Sequence, residues 1–131
     1  NGTVWGWGNN YSGQLGDGST ERHLTPVQAM ALPPITAIAA GGGHALALAK
    51  DGSVWSWGNN EYGQLGDGTT DSSITPQRAS RIPPMGSIAA SSGHSLGLDR
   101  HDALWVWGDK GCFGDADNPT TPLHVQDLPQ I

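Results

Sequence analysis

Val54-Trp55-Ser56-Trp57-Gly58-Asn59-Asn60 lies fifty residues after Val4-Trp5-Gly6-Trp7-Gly8-Asn9-Asn10, and the series starts a third time at Leu104-Trp105-Val106-Trp107-Gly108. Outward from this stretch the register persists. Gly13-Gln14-Leu15-Gly16-Asp17-Gly18 falls on Gly63-Gln64-Leu65-Gly66-Asp67-Gly68, Thr25-Pro26 on Thr75-Pro76, and Pro33-Pro34 on Pro83-Pro84. Ile38-Ala39-Ala40 falls on Ile88-Ala89-Ala90, and Gly43-His44 on Gly93-His94. Self-similarity at a fixed period is the mark of a repeat architecture. We read one domain over 1–131, built from three tandem units at about 1–34, 35–84 and 85–131. The third is degenerate: Pro122 follows Pro76 by 46 residues, four short of the period. The best fit sets Gly111-Cys112-Phe113-Gly114-Asp115 on Gly63-Gln64-Leu65-Gly66-Asp67.

Within one unit, Ala45-Leu46-Ala47-Leu48-Ala49 alternates small with large residues, which suits a strand covered closely on both faces. Lys50-Asp51-Gly52 follows, and Asp-Gly between two strand-like runs predicts a hairpin. In the next strand Trp55 and Trp57 are two apart and share a face. Gly63-Gln64-Leu65-Gly66 reads as a short strand or a tight turn. Thr75-Pro76-Gln77-Arg78-Ala79 reads as an outer strand, because proline is confined to strand starts and sheet edges. Four short strands per unit, repeated, predict an all-β chain: β-propeller blades of four antiparallel strands, about two and a half to three of them, forming a partial propeller. The tryptophans at 7, 57 and 107 are expected to fill the gaps between blades. The inner strands are placed at 45–49 and 95–99, and after Pro83-Pro84 the next inner strand is expected to begin near Met85. One blade then lacks its inner strand within the chain, and the remaining blades are expected from a longer chain or from neighbouring copies.

Composition agrees. Glycine is the commonest residue, with 20 copies, and there are 9 prolines, so turns are frequent. The six tryptophans and the many aliphatic side chains set the chain apart from disordered sequences. The net charge of −6 and the scattered positions of Arg22, Lys50, Arg78, Arg81, Arg100 and Lys110 argue against nucleic acid as a partner. No apolar run approaches the roughly 18 residues of a membrane span, so membrane insertion is not expected. Cys112 is the one cysteine, which rules out an internal disulfide.

The unit running from Val54 to Gly68, together with Ile38-Ala39-Ala40-Gly41, His44, Leu46 and Leu48, resembles the regulator of chromosome condensation repeat family. The Asn-Asn and Gly-Asp-Gly-Thr-Thr loops look more like bacterial members than like the eukaryotic exchange factor. The resemblance implies repeats of this length arranged as a seven-bladed propeller. The propeller family marked by Gly-His and Trp-Asp fits less well, since no Trp-Asp pair occurs. Nor do kelch repeats fit, since the doublet Gly42-Gly43 becomes Ser92-Gly93. The plant ultraviolet-B receptor of the same family uses a Gly-Trp-Arg-His-Thr sensor, and Gly41-Gly42-Gly43-His44-Ala45 lacks its tryptophan.

Candidate chemistry is sparse. His44 and His94 recur in register, whereas catalytic residues tend to be unique, so each is expected to hydrogen-bond a loop backbone. His23, His101 and His124 are expected at the surface. The Asp17-Gly18-Ser19-Thr20 and Asp67-Gly68-Thr69-Thr70 stretches lack the alternating oxygen ligands and closing acid of a calcium loop and read as side-chain-stabilised turns. No phosphate loop, zinc pattern or serine-histidine-aspartate spacing is present, so we expect no catalytic residues, no metal, no cofactor and no enzyme activity. The expected function is a protein-interaction scaffold in which rigid blades carry variable loops. The positions that differ between copies include Tyr11, Arg22, Glu61 and Tyr62, our candidate partner-binding residues. The alternative that the resemblance implies is a nucleotide-exchange regulator of a small GTPase, although neither the wedge nor the basic tail of that exchange factor is visible here. The charge makes one direct prediction. At physiological salt and micromolar protein, the chain should produce no mobility shift of duplex DNA, and a salt-sensitive shift would contradict the reading.

Overall fold

A computed structural model describes residues 1–109 and 119–126, and strands are the only regular elements among them. β1 (Trp5–Gly8) and β2 (His23–Gln28) form a two-stranded sheet. β3 (Ile35–Ala40), β4 (His44–Ala49), β5 (Val54–Gly58) and β6 (Ser73–Arg78) form a four-stranded sheet in that order. β7 (Met85–Ala90), β8 (His94–Asp99), β9 (Leu104–Gly108) and β10 (Leu123–His124) form another. Every pairing is antiparallel between sequence neighbours. The sheets approach one another where β3 and β4 contact β7, so β3 and β7 lie innermost and β6 and β10 outermost. This is the predicted all-β partial propeller, with two complete blades and the outer half of one more.

Local chemistry explains the meander. At the β4–β5 hairpin Gly52 donates to the Ala49 carbonyl at 3.0 Å, and Asp51 Oδ1 accepts the Ser53 N–H and hydroxyl at 2.9 and 2.6 Å. Pairing is register-locked by volume. Ala45 stands opposite Trp57 and Ala47 opposite Trp55, while in the next blade Ser95 and Gly97 stand opposite Trp107 and Trp105. Leu123 stands opposite Val106 as Gln77 stands opposite Ser56, so the third copy closes its sheet with four fewer residues.

Each buried tryptophan is a wedge between blades. Trp57 (2% exposed) packs with Ala47 of its own sheet and with Ala29 and Val4 of the first unit. Trp107 (0% exposed) packs against Leu46, Leu48 and Val54 of the second blade. Trp7 departs from the expectation at 64% exposed, because among the described residues no blade lies on the side that covers its two counterparts.

A second link joins the complete blades. His44 Nε2 lies 2.9 Å from Ser95 Oγ, and the Ser95 hydroxyl donates to the Gln64 carbonyl at 2.8 Å. The serine has one proton and gives it to Gln64, so Nε2 is the donor to Oγ and the imidazole is neutral. Nδ1 is buried without a partner among the described residues, and protonation would place a charged N–H there with no acceptor among them. Burial, reinforced by His94, accordingly lowers the His44 pKa to about 4. The expected loop-backbone partner of His44 is therefore corrected to a serine side chain on the next blade.

Other expectations are also revised. The run at 45–49 is β4, the second strand of its sheet, and β8 holds the same place; the innermost strands are β3 and β7. β7 begins at Met85, where an inner strand was expected, whereas the edge position of β3 leaves Ile38 exposed and obscured it as a strand. Of the two readings of Gly63-Gln64-Leu65-Gly66, the tight turn is the one present, with Gly66 donating to the Gly63 carbonyl at 3.1 Å. The third-copy fit over 111–115, Cys112 included, lies outside the described residues.

Two predictions follow from the wedges and the buried imidazole. In urea unfolding of the 131-residue chain, Trp57→Ala and Trp107→Ala should each cost about 3–5 kcal/mol, while Trp7→Ala should cost less than about 1 kcal/mol. The native His44 pKa lies below its unfolded value of about 6.5. Its contribution is complete above pH 6.5 and is lost as pH falls towards 4, because the unfolded chain takes up the proton first. Relative to His44→Gln, the parent chain should lose roughly 3 kcal/mol between pH 7 and pH 4.

Candidate functional site: the loop rim

The loops 9–22 and 59–72 leave β1 and β5 at the same end of the sheets as the turns 41–43 and 91–93. Each loop is organised around one buried asparagine. Asn60 Nδ2 donates to the carbonyls of Thr69 at 2.9 Å and Asp71 at 3.0 Å, and its Oδ1 accepts the Leu65 N–H at 2.9 Å. Asn10 repeats the set with Ser19 and Glu21, both at 3.0 Å, and Leu15 at 2.9 Å. A fully buried amide is stable only when so satisfied. The neighbouring Asn9 and Asn59 accept the N–H groups of Tyr11 at 3.0 Å and Glu61 at 2.8 Å. Gln14 and Gln64 accept those of Ser12 and Tyr62, both at 2.9 Å. The expected Asp-Thr turn is present: Asp67 Oδ1 accepts both the N–H and the hydroxyl of Thr69, at 3.0 and 2.8 Å.

Each loop is also fastened to the following blade. Trp57 Nε1 donates to the Gln14 carbonyl at 2.8 Å, and Gly18 donates to the Ile74 carbonyl at 3.0 Å. In the next copy Gly68 donates to the Thr120 carbonyl at 2.9 Å. The indole bond is not repeated. Ser95 takes the Gln64 carbonyl, and Trp107 Nε1 has no partner among the described residues. Ala45 at the corresponding place in the earlier blade has no hydroxyl, which leaves the Gln14 carbonyl to Trp57.

These bonds fix the backbone and turn particular side chains outward. Tyr11 is 88% exposed, Arg22 and Glu61 are exposed, and Tyr62 is exposed while its ring edge rests against Gly93. Tyr11 and Glu61 occupy equivalent positions on successive units, Tyr62 is one residue along, and Arg22 sits at the far end of its loop beside β2. The structure thus places all four candidates on one rim. Sequence analysis assigned Asn10 and Asn60 no role in the loops; the signal was a polar pair repeated in register.

His101 is exposed as expected, but His23 and His124 are half-buried and make contacts. His23 Nε2 lies 2.8 Å from Asp17 Oδ2, and His124 stacks on Trp105 with ring centroids 5.0 Å apart. Burial pushes the Asp17 carboxyl upward, but the Ser19 hydroxyl and N–H, the Asn10 amide and His23 outweigh it and hold it below its ordinary value. His44 and Ser95 have the spacing of a base and a nucleophile. Both are buried, however, and the serine proton points to the Gln64 carbonyl, so the pair serves as an inter-blade bond. Among the described residues, no three histidine, aspartate, glutamate or cysteine side chains gather to hold a metal.

The profile of the Regulator of chromosome condensation (RCC1) repeat matches residues 1–48 and 51–98, and a second RCC1 repeat profile matches 35–64. Three solved structures share the fold. Prp20p of Saccharomyces cerevisiae, described with its binding to Gsp1p and histones, is 24% identical over 95% of this chain and 34% of its own, with a TM-score of 0.85. Yeast RCC1 (Prp20) bound to Kap60 is 26% identical over 98% of this chain and 34% of its own, with a TM-score of 0.84. Human WBSCR16 is 21% identical over 94% of this chain and 34% of its own, also at 0.84. The chain therefore spans about a third of the length of these structures. With two successive units matched end to end and the blades and loops built alike, this chain belongs to the regulator of chromosome condensation repeat family.

Proposed function

We propose that the chain is a non-enzymatic protein-interaction scaffold whose partner docks on the loop rim. The observation that supports this reading is the contrast between backbone and side chain in the loops 9–22 and 59–72. The backbone is bonded to buried Asn10 and Asn60 and to the next blade, while Tyr11, Glu61 and Tyr62 differ from their counterparts and face solvent. Pre-ordered loops spare a partner the entropy of ordering them, and tyrosine and arginine are efficient anchors. The rim carries Asp17, Glu21, Glu61, Asp67 and Asp71, with Arg22 as its cation among the described residues. Lys50, Arg78, Arg81 and Arg100 lie toward the opposite end of the sheets. A partner with positive surface charge suits this rim. The binding of Gsp1p and histones belongs to Prp20p, and it supports protein binding as the role of such blades.

The test is site-specific photocrosslinking. A benzoylphenylalanine at Tyr11 or Tyr62 should capture a defined protein, the same group at Arg100 should not, and added salt should weaken capture. The combined alanine variant at Tyr11, Arg22, Glu61 and Tyr62 should keep the parent unfolding free energy in urea within about 1 kcal/mol and lose that capture. Equal capture from Arg100 would contradict the reading.

A further inference from the structure

At the end of the sheets remote from the loop rim, the chain makes the same turn twice. Segment 29–34 leads from β2 to β3, and segment 79–84 leads from β6 to β7. Ala31 and Arg81 hold equivalent places in these turns, with φ of +55° and +57°, in the left-handed region. Each turn helps to line a surface cavity. Asn1, Gln28 and Ala31 line the first, and Asp51, Arg78 and Arg81 line the second at the same repeat positions. The backbone recurs and the chemistry does not: no charged side chain lines the first cavity, whereas two guanidinium groups line the second.

The second cavity, of about 310 Å³, is preformed. Ala79 donates to the Val54 carbonyl at 2.9 Å, Ser80 to the Gly66 carbonyl at 3.0 Å, and Met85 to the Gly52 carbonyl at 2.8 Å. An added Cβ at Gly52 would come within 2.6 Å of Pro84, so the hairpin tip rests on the turn. The donors are unspent. Arg78 and Arg81 are exposed, and neither guanidinium has a hydrogen bond or an ion-pair contact among the described residues. The main-chain N–H groups of Arg81 and Ile82 have no acceptor among them either.

Asp51 is the acid of this lining. The Ser53 hydroxyl and N–H, and less strongly the charge of Arg78, hold its carboxyl below its ordinary value, so it is ionised at neutral pH. Lys50 lines an adjoining depression that also includes Asp51. Lys50, Arg78 and Arg81 therefore outnumber the local acid by two charges. A phosphate monoester carries close to two negative charges at pH 7, and the planar arginine fork matches its oxygens. A single carboxylate would balance only half of the excess. Ile82 and Pro83, both half-buried, supply an apolar wall beside the cations.

We propose that this cavity binds a small phosphate monoester, with the phosphate on Arg78 and Arg81 and the organic group against Ile82 and Pro83. The inference does not depend on what docks at the loop rim, which lies at the other end of the sheets.

The experiment titrates phenyl phosphate into the 15N-labelled 131-residue chain at pH 7 and about 0.15 M chloride, which screens unspecific attraction. The amide signals of Arg81 and Ile82 should move saturably, with a Kd in the millimolar range or tighter. Inorganic phosphate should bind more weakly, and phenol should leave both signals in place. The double variant Arg78→Gln, Arg81→Ala adopts the side chains of Gln28 and Ala31, which this backbone already carries in the first unit. It should keep the parent midpoint in urea and bind phenyl phosphate at least about tenfold more weakly. No saturation at about 20 mM phenyl phosphate, or unchanged affinity in the double variant, would overturn the proposal. So would an equal response at Ala31 and Leu32 of the uncharged cavity. Inorganic phosphate binding as tightly as the ester would overturn the place given to the organic group.

Discussion

The indole of Trp57 sits where three elements meet. Its ring packs against Ala47 of its own sheet and Val4 and Ala29 of the preceding unit, and its N–H is held by the Gln14 carbonyl of the preceding loop. A side chain of this size can be buried only if its surroundings are small. Alanine stands opposite it in the sheet, and Gly16 lies against its pyrrole edge, where a Cβ would come within 2.8 Å of Nε1. Large residue, small partner and glycine loop are thus one constraint written at three places in the repeat. Gly66 and Trp107 write it again fifty residues later. A single blade cannot satisfy the constraint alone, because the loop that covers each tryptophan belongs to the unit before it. Stacking and loop order are therefore the same event.

The consequence for function is a division of labour inside each loop. The residues that recur (Asn10 and Asn60, Gln14 and Gln64, Leu15 and Leu65) face inward and are buried or bonded. Tyr11 and Glu61, which vary at one position, face outward with exposed side chains. Tyr11 can become Glu61 without cost because only the main-chain N–H of that position is used, by Asn9 or Asn59. A rim built this way can change its surface chemistry without changing its fold.

Small departures from exact repetition show how tightly the parts are coupled. Replacing Ala45 by Ser95 at the equivalent site adds one hydroxyl, which takes the Gln64 carbonyl, reaches His44 on the previous blade and leaves the Trp107 N–H without a partner. One acceptor is exchanged between two donors, and the blade keeps its shape because the ring is held by packing on every side.

The repeat, the four-strand blade, the outer proline strand and the two buried tryptophans were legible in the sequence, because volume and turn chemistry are local and recur at a fixed spacing. The family was legible for the same reason. The four rim residues could be named as variable positions, since a comparison of copies needs no coordinates. Three things depended on tertiary structure. The start of β7 near Met85 was legible after Pro83-Pro84, but the edge strand β3 carries no burial pattern strong enough to rank it ahead of β4. The roles of Asn10, Asn60 and His44 depend on partners 5 to 51 residues away, which no local pattern encodes. The exposure of Trp7 separates sequence from fold most clearly. The same tryptophan in the same motif is buried in two units and open in the first, because burial belongs to the neighbour that covers a side chain and not to the side chain itself.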